Sequence, residues 1–306
     1  MAESEDMSEN SDGKVIIEPL SNDIGAEVRG VDLGSSMNDA VFATIYRAWL
    51  DHQVLLFRDQ NITDPQMIAF SRRFGDLDLA PIPGHGRAFV EGIPEMFVIS
   101  NVIKDGKKIG SLGDGECLWH TDMAYTEVPP KASCLYSLEV PNAQGDTGFL
   151  NMYAAYETLP GELKKSIKGQ TIKHDNQYTL DGLDRDGGPS LVDAIAAGTF
   201  NVAALPGSSH PIARTHPETG RKALYIGRRQ NTYINGFSVA DSEALLDALW
   251  AHADSYGKQT YHHRWQLGDL LIWDNRCAMH RRDEFSADVR RIMHRTQVRA
   301  LSLIHI

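Results

Sequence analysis

Cysteine is scarce in this chain and basic residues are outnumbered, and each shortage narrows what the protein can be. Cys117, Cys134 and Cys277 are the three cysteines among 306 residues, with no short repeated spacing. An odd, sparse set is not a disulfide framework and points to a reducing compartment. Lys and Arg number 30 against 41 Asp and Glu, for a net charge of -11. A surface built for nucleic acid or an anionic membrane needs a basic field, so neither partner is expected. The balance leaves room for a small basic pocket and an anionic ligand. No apolar run approaches the roughly 18–20 residues that span a bilayer. The opening MAESEDMSENSDG lacks the basic start and apolar stretch of a signal peptide. Residues 1–13 read as a disordered acidic tail, residues 14–306 as one domain, and the protein as cytoplasmic.

What is present suits a packed core, at 42% hydrophobic and 23% charged residues. KVIIEPL and GAEVRGVDL look like strands. NDAVFATIYRAWLD, from Asn38, repeats its apolar residues at helical spacing and precedes the strand-like QVLLFRD. DPQMIAFSRRF, with its early Pro65 and a closing Gly75, reads as a second helix. From Gly75 to Gly115 the chain reads as loop with one strand-like piece, MFVISNVI. KASCLYSLEV and TGFLNMY follow as strands, and AAYETLPGELKKSI as one helix broken at Pro160 or two short ones. Residues 173 to 220 look like loop, ALYIG like a strand, and DSEALLDALWAHADS like a helix capped by Asp241. The end of the chain offers two strand-like segments around a loop. The class this predicts is α+β with a sheet-rich core.

His120 and Asp122 lie two apart in LWHTDMAY. On a strand, such residues share a face, so an imidazole nitrogen and a carboxylate oxygen would project together. Two histidines and one carboxylate on one face leave three positions open around a divalent metal, the arrangement of non-haem Fe(II) oxygenases. Alone, an H-x-D among 12 histidines carries little and fits an ordinary polar pair. His280, at the end of an apolar strand, can supply the third ligand. Arg291 and Arg295 would share a face of the strand RRIMHRTQ, about 13 Å apart. A buried arginine meets a carboxylate or sulfonate with parallel hydrogen bonds, although one arginine singly is more often a solvated charge.

H-x-D, a long insert, WDN…H, and an arginine eleven residues on within RRIMHR together resemble the TauD/TfdA family of Fe(II)- and 2-oxoglutarate-dependent dioxygenases. The resemblance runs from about Val15 to Leu301 and includes FRDQ, FGDL, GDT at 145–147 and THPETGRKALY. It implies a double-stranded β-helix (jelly-roll) core with flanking helices, and iron ligands His120, Asp122 and His280. It also implies that Arg291 and the Thr147 hydroxyl anchor 2-oxoglutarate, and that Arg295 faces an anionic group of a small-molecule substrate or equally supports the 2-oxoglutarate site or a buried acid. O2 is then the oxidant, 2-oxoglutarate leaves as succinate and CO2, and a substrate C–H is oxidised. Relatives that halogenate carry a small residue where Asp122 stands, so hydroxylation is the expected outcome. Dimers or tetramers are implied too, with no interface identified.

Taurine itself fits poorly. Where taurine dioxygenase places a sulfonate-contacting histidine and an amine-facing tyrosine, this chain has Ala80 and Pro83, leaving His85 as the residue in that loop able to compensate. Glu116 replaces an asparagine and either faces a cationic nitrogen on the substrate or points to solvent. Tyr125, Tyr225, Tyr233 and Phe237 are candidate apolar walls or ordinary core, and Cys117 and Cys277 flank the ligands as packing residues or, secondarily, as oxidation-sensitive thiols. Three rival readings stand beside this one. A zinc hydrolase would share the ligand types, but H-E-x-x-H is absent and zinc gives no reason for Arg291 and Thr147. A binding protein could keep the same site. An oxygenase of the same fold could desaturate, cyclise, or cleave an ether or C–S bond.

Overall fold

Strands covered on both faces read as unbroken apolar runs, and two such runs, VLLF and LLIWD, pair antiparallel near the middle of the larger of the two main sheets, Val54 opposite Trp273. The computed structural model describes residues 14–80, 89–112, 117–179, 182–255 and 260–300. The larger sheet runs in the order Ile16–Pro19, Ala26–Arg29, Val54–Phe57, Leu270–Asp274, Ala132–Glu139, Ile292–Val298, Ile93–Ser100, Phe89–Val90, with Ser111–Leu112 beside Ile93–Ser100. The smaller one runs Tyr261–His263, Thr147–Asn151, Ala278–Arg282, Cys117–His120.

Side chains alternate across a strand, and the alternation sorts this core into layers. Val54, Leu56, Leu271 and Trp273 point between the sheets and meet Phe149, Tyr261 and Ala278 from the smaller one. Leu55, Phe57, Leu270 and Ile272 point the other way, onto Ile45, Trp49, Met67 and Phe70 of the helices Asp39–His52 and Asp64–Arg72. The outer face of the smaller sheet, Leu150 and Met279, packs on the helices Met152–Glu157 and Val239–Ser255. The layers are therefore helices, large sheet, small sheet, helices. Among the described residues no helix is long and apolar enough to cross a membrane.

Helix starts follow local chemistry. Asn38 accepts the Val41 amide at 2.9 Å, and Thr63 and Gln66 form a reciprocal capping box ahead of Pro65. The helix expected to be capped by Asp241 already begins at Val239, because the Ser238 hydroxyl accepts the Asp241 amide at 3.1 Å and is the true cap. TGFLNMY is a strand only to Asn151, whose side chain accepts the Tyr153 and Ala154 amides and turns the chain into a helix. Pro160 separates two short helices, Met152–Glu157 and Gly161–Ser166. The stretch read as loop from 173 to 220 contains the helix Leu191–Ala196 and the strands Ser209–Pro211 and Ala213–Thr215. His280 is not at a strand end. It sits mid-strand in Ala278–Arg282, which the chain reaches from Leu270–Asp274 through the turn 275–277, changing sheets as it does so. The expected tail, residues 1–13, lies outside the described residues.

Because both faces of the large sheet are covered, Leu55→Ala and Leu56→Ala are expected to destabilise alike, each by about 2–5 kcal/mol. Urea unfolding of the two variants checks this; a Leu55→Ala loss under about 1 kcal/mol would mean that the helices do not close that face.

Candidate metal and anion site

The smaller sheet pairs His280 with Phe149 on one side and with His120 on the other. The two imidazoles lie 4.2 Å apart at their ring centres. The expectation that His120 and Asp122 share one strand is corrected here. The strand stops at His120, and Asp122 stands just beyond it, before Met123 at φ 48. Beyond the ladder, the loop is held by the Thr121 amide on the Gly227 carbonyl at 3.2 Å and by side chains. Asn275 accepts the Asp122 amide at 2.8 Å, and its Nδ2 donates to the carbonyls of Asp122 and Pro130, each at 3.0 Å. That clamp sets the carboxylate so that Oδ1 is 3.7 Å from Nε2 of both His120 and His280. Oδ2 accepts from Ser133 Oγ at 3.0 Å and from the Arg295 guanidinium.

The ligand atoms of His120, Asp122 and His280 all lie within 4.8 Å of one another. Burial opposes the charge on Asp122, but Arg295, then His280 and His120, outweigh it and hold the carboxyl well below its usual range. Burial, then His120, holds His280 well below its ordinary value and so neutral. For His120 burial is overcome by Cys117 and Asp122, which push it up to about 9. Its Nδ1–H donates to the Leu118 carbonyl at 2.7 Å, so Nε2 faces the triad, and a divalent cation there takes the place of the second proton. Two neutral nitrogens and an anchored carboxylate oxygen make a donor set for such a cation.

Arg291 and Arg295 flank Met293, which packs between the sheets, and both arginines are buried. Their partners differ. Arg295, expected to face a substrate, gives its Nη2 to Asp122 and to Ser133 Oγ, the latter at 2.8 Å, and lies over Trp273 at 5.3 Å. The partner it has is a buried acid. Arg291 is only 2% exposed, its Nε has no hydrogen-bond partner, and no carboxylate among the described residues offsets it. Burial, and next Arg282, push it down to about 9. Beside it stand Phe285 and Trp265, and the Trp265 indole donates to the Thr147 hydroxyl at 2.9 Å. Thr147 Oγ1 keeps its own hydrogen to give.

His85, Pro83 and Glu116 lie outside the described residues. Tyr225 is buried close enough to Asp122 to feel its charge. Tyr125 lies in the loop after Asp122, with Arg185 over its ring at 4.9 Å. Phe237 packs on the outer cluster of the small sheet and its carbonyl accepts from the Tyr233 hydroxyl, so neither lines the triad. Cys277 is buried in that cluster, a packing role as expected. Asn275, Ser133 and Trp265 were not singled out by the sequence; the WDN motif was the available signal for the first. A second grouping, His216, Asp274 and Cys277, is already saturated. Asp274 accepts from Arg276 at 2.8 and 2.7 Å and from His216 at 3.0 Å, which fixes the residues on either side of Asn275.

The family model described as taurine catabolism dioxygenase TauD, TfdA family matches residues 16–297. The chain is 34% identical to the (S)-phenoxypropionate/alpha-ketoglutarate-dioxygenase of Sphingobium herbicidovorans, over 92% of this chain and 94% of that one. It is 33% identical to the alpha-ketoglutarate-dependent 2,4-dichlorophenoxyacetate dioxygenase of Cupriavidus pinatubonensis, over 92% and 96%. Among solved structures, AAD-2 in complex with Mn(II) and N-oxalylglycine is similar at a TM-score of 0.73 and 29% identity, covering 94% of this chain and 98% of that one.

An uncompensated buried cation weakens the fold that holds it. Arg291→Met keeps the length and removes the charge, and is expected to stabilise the ligand-free protein by on the order of 1–3 kcal/mol. The wild-type penalty is full at neutral pH. It persists across the working pH range, because a guanidinium keeps its proton even where burial lowers its pKa. Thermal melts at pH 7 decide it; a lower midpoint for the variant would show that the guanidinium is satisfied as it stands.

Proposed function

The chain belongs to the taurine catabolism dioxygenase TauD, TfdA family, and from that premise we propose that it is an Fe(II)- and 2-oxoglutarate-dependent dioxygenase hydroxylating a C–H bond of a small anionic organic molecule. The observation that carries this is the convergence of His120, Asp122 and His280 within 4.8 Å, beside a buried arginine that lacks an anion. In this reading the three residues hold the iron on one face. Arg291 receives the far carboxylate of 2-oxoglutarate in parallel hydrogen bonds, with the Thr147 hydroxyl donating to the same group. When bound, iron, 2-oxoglutarate and O2 supply the oxidising chemistry and yield succinate and CO2.

The protein's part is placement and the exclusion of water. Ser133 and Arg295 tie Oδ2 of Asp122, so Oδ1 stays turned to the histidines. Trp273, 4.7 Å from His280 at the ring centres, and Phe149 wall the triad with apolar surface. The two facing sheets, with the chain crossing between them at 275–277, support a double-stranded β-helix forming one domain from residue 14 onward. The named substrates of the relatives, phenoxypropionate and 2,4-dichlorophenoxyacetate, favour a carboxylate-bearing substrate here. Ala80, a buried residue that can make no side-chain hydrogen bond, weighs against taurine.

Anaerobic titration with Fe(II) and 2-oxoglutarate tests the assignment through the visible charge-transfer band of the chelated cosubstrate. Wild type is expected to give a saturable band and His280→Ala none. Arg291→Ala is expected to need at least about tenfold more 2-oxoglutarate, the scale of a lost charge-assisted pair. Asn275→Ala, which frees the loop of Asp122, is expected to bind the metal about 10–100-fold more weakly. Absence of the band from fully metallated wild type would falsify the dioxygenase reading.

A further inference from the structure

Burial does not by itself give an indole N–H a partner in this protein. Among the described residues, those of Trp49, Trp250 and Trp273 are buried with none. Trp265 differs. It is 4% exposed, and its Nε1–H donates to the Thr147 hydroxyl at 2.9 Å. A threonine hydroxyl has one hydrogen and two lone pairs. With the indole on one lone pair, the hydrogen must point away from Trp265. The Arg291 guanidinium lies 6.0 Å from the centre of the Trp265 ring. Trp265 therefore borders both groups that the dioxygenase reading gives to the far carboxylate of 2-oxoglutarate.

Trp265 lies two residues past the strand Tyr261–His263, whose last residue pairs with Thr147, so the ladder does not set its ring. A buried polar cluster does. The His263 ring stands edge-on to the indole, 4.6 Å between centres at 88°. Its Nε2–H donates to Asp269 Oδ2 at 3.0 Å. Burial, against the pull of Asp269, lowers the pKa of His263, so Nδ1 stays unprotonated and accepts the Tyr261 hydroxyl at 2.7 Å. Asp269 Oδ2 also accepts from the Gln266 amide at 2.8 Å and from Arg58 Nη1 at 2.7 Å. The Asp269 amide donates to Ser137 Oγ at 2.9 Å, and that hydroxyl donates to the Gln266 carbonyl at 2.6 Å. One carboxylate oxygen thus holds His263, two residues before Trp265, and Gln266, one after it. His263 and Asp269 are both fully buried. A buried ion pair stabilises a fold little better than apolar packing of the same volume. What this one fixes is the indole.

We infer that Trp265, held by His263 and Asp269, is a positioning residue for 2-oxoglutarate, and that it aims the Thr147 hydroxyl as a donor at the far carboxylate. The inference rests on the dioxygenase reading and deepens it by three residues, none of which would touch the metal or the reacting atoms. A hydroxyl fixed as a donor suits a group that only accepts, as a carboxylate does. The bond is then in place when the cosubstrate arrives, with no rotor left to order.

Anaerobic titration of the Fe(II) protein with 2-oxoglutarate, followed by the visible band, tests this beside a separate measurement of Fe(II) affinity. Trp265→Phe keeps an aromatic wall and removes the N–H. It is expected to need about threefold to tenfold more 2-oxoglutarate, with Fe(II) affinity unchanged. Thr147→Val should lose at least as much. In the double variant Trp265→Phe should add little to Thr147→Val, because the first residue acts through the second. His263→Phe should also weaken 2-oxoglutarate, and it supplies the same cycle against Thr147→Val should Trp265→Phe fail to fold. Three results overturn the inference: wild-type affinity for 2-oxoglutarate in Trp265→Phe, losses that simply add in the double variant, or an equal loss of Fe(II) affinity, which marks general damage. A wild type without the band removes the dioxygenase reading itself, and this inference with it.

Discussion

Asp122 joins the two sheets. Its Oδ1 faces the histidines of the smaller sheet, while its Oδ2 accepts from Ser133 and Arg295 of the larger one. A carboxylate buried between sheets is expensive unless each oxygen is matched, and here the match on one side comes from a different sheet than on the other. The spacing of the sheets, the orientation of Arg295 and the geometry of the triad are therefore one constraint. Asn275 belongs to it as well, because it holds the backbone of Asp122 from the turn through which the chain passes between the sheets. A shift of either sheet would be felt at the metal ligands.

Much of this was legible in the sequence where a residue's role depends on its own neighbourhood. The apolar runs around Val54 and Leu270 and the helical spacing after Asn38 are local signals. The alternation that turns Arg291 and Arg295 to one side is local too, and the histidines and Asp122 carried a family pattern. The clamp on Asp122 was not legible. Asn275 and Asp122 are 153 positions apart and Arg295 and Asp122 173, and pairing over such distances leaves no periodic trace. Arg295 was read toward a substrate anion, the 2-oxoglutarate site or a buried acid alike, because a sequence gives an arginine's presence but not its partner. The strand of His280 was hidden because AMHRR mixes apolar and charged residues, all of them held by neighbours that only the folded sheet supplies. Ser238 displaced Asp241 as a cap because both are good caps, and the chain's approach to the helix decides between them.

The costs and the support for them are in different places. Arg291 is a buried cation without an anion, and His174 is a buried imidazole without partners. Asp122 is followed by a non-glycine residue at positive φ, a conformation that costs energy and persists when surroundings over-determine it. The compensating burial lies elsewhere, in Trp49, Phe57, Leu55, Leu56 and Met67, none more than 1% exposed. Groups kept short of partners are ready to interact with something that arrives from outside.

That separation bears on how this chain would distinguish substrates. Two cations lie on the strand side, and each meets a different kind of anion. Arg295 meets a permanent one, Asp122, through Nη2, while its Nε has no hydrogen-bond partner. Arg291 has none of its own and is enclosed by Trp265 and Phe285, walls that suit a flat carboxylate entering edge-on. Loops that border the site can vary without disturbing Asp122 or the sheets that it joins, which is where this fold can change its substrate.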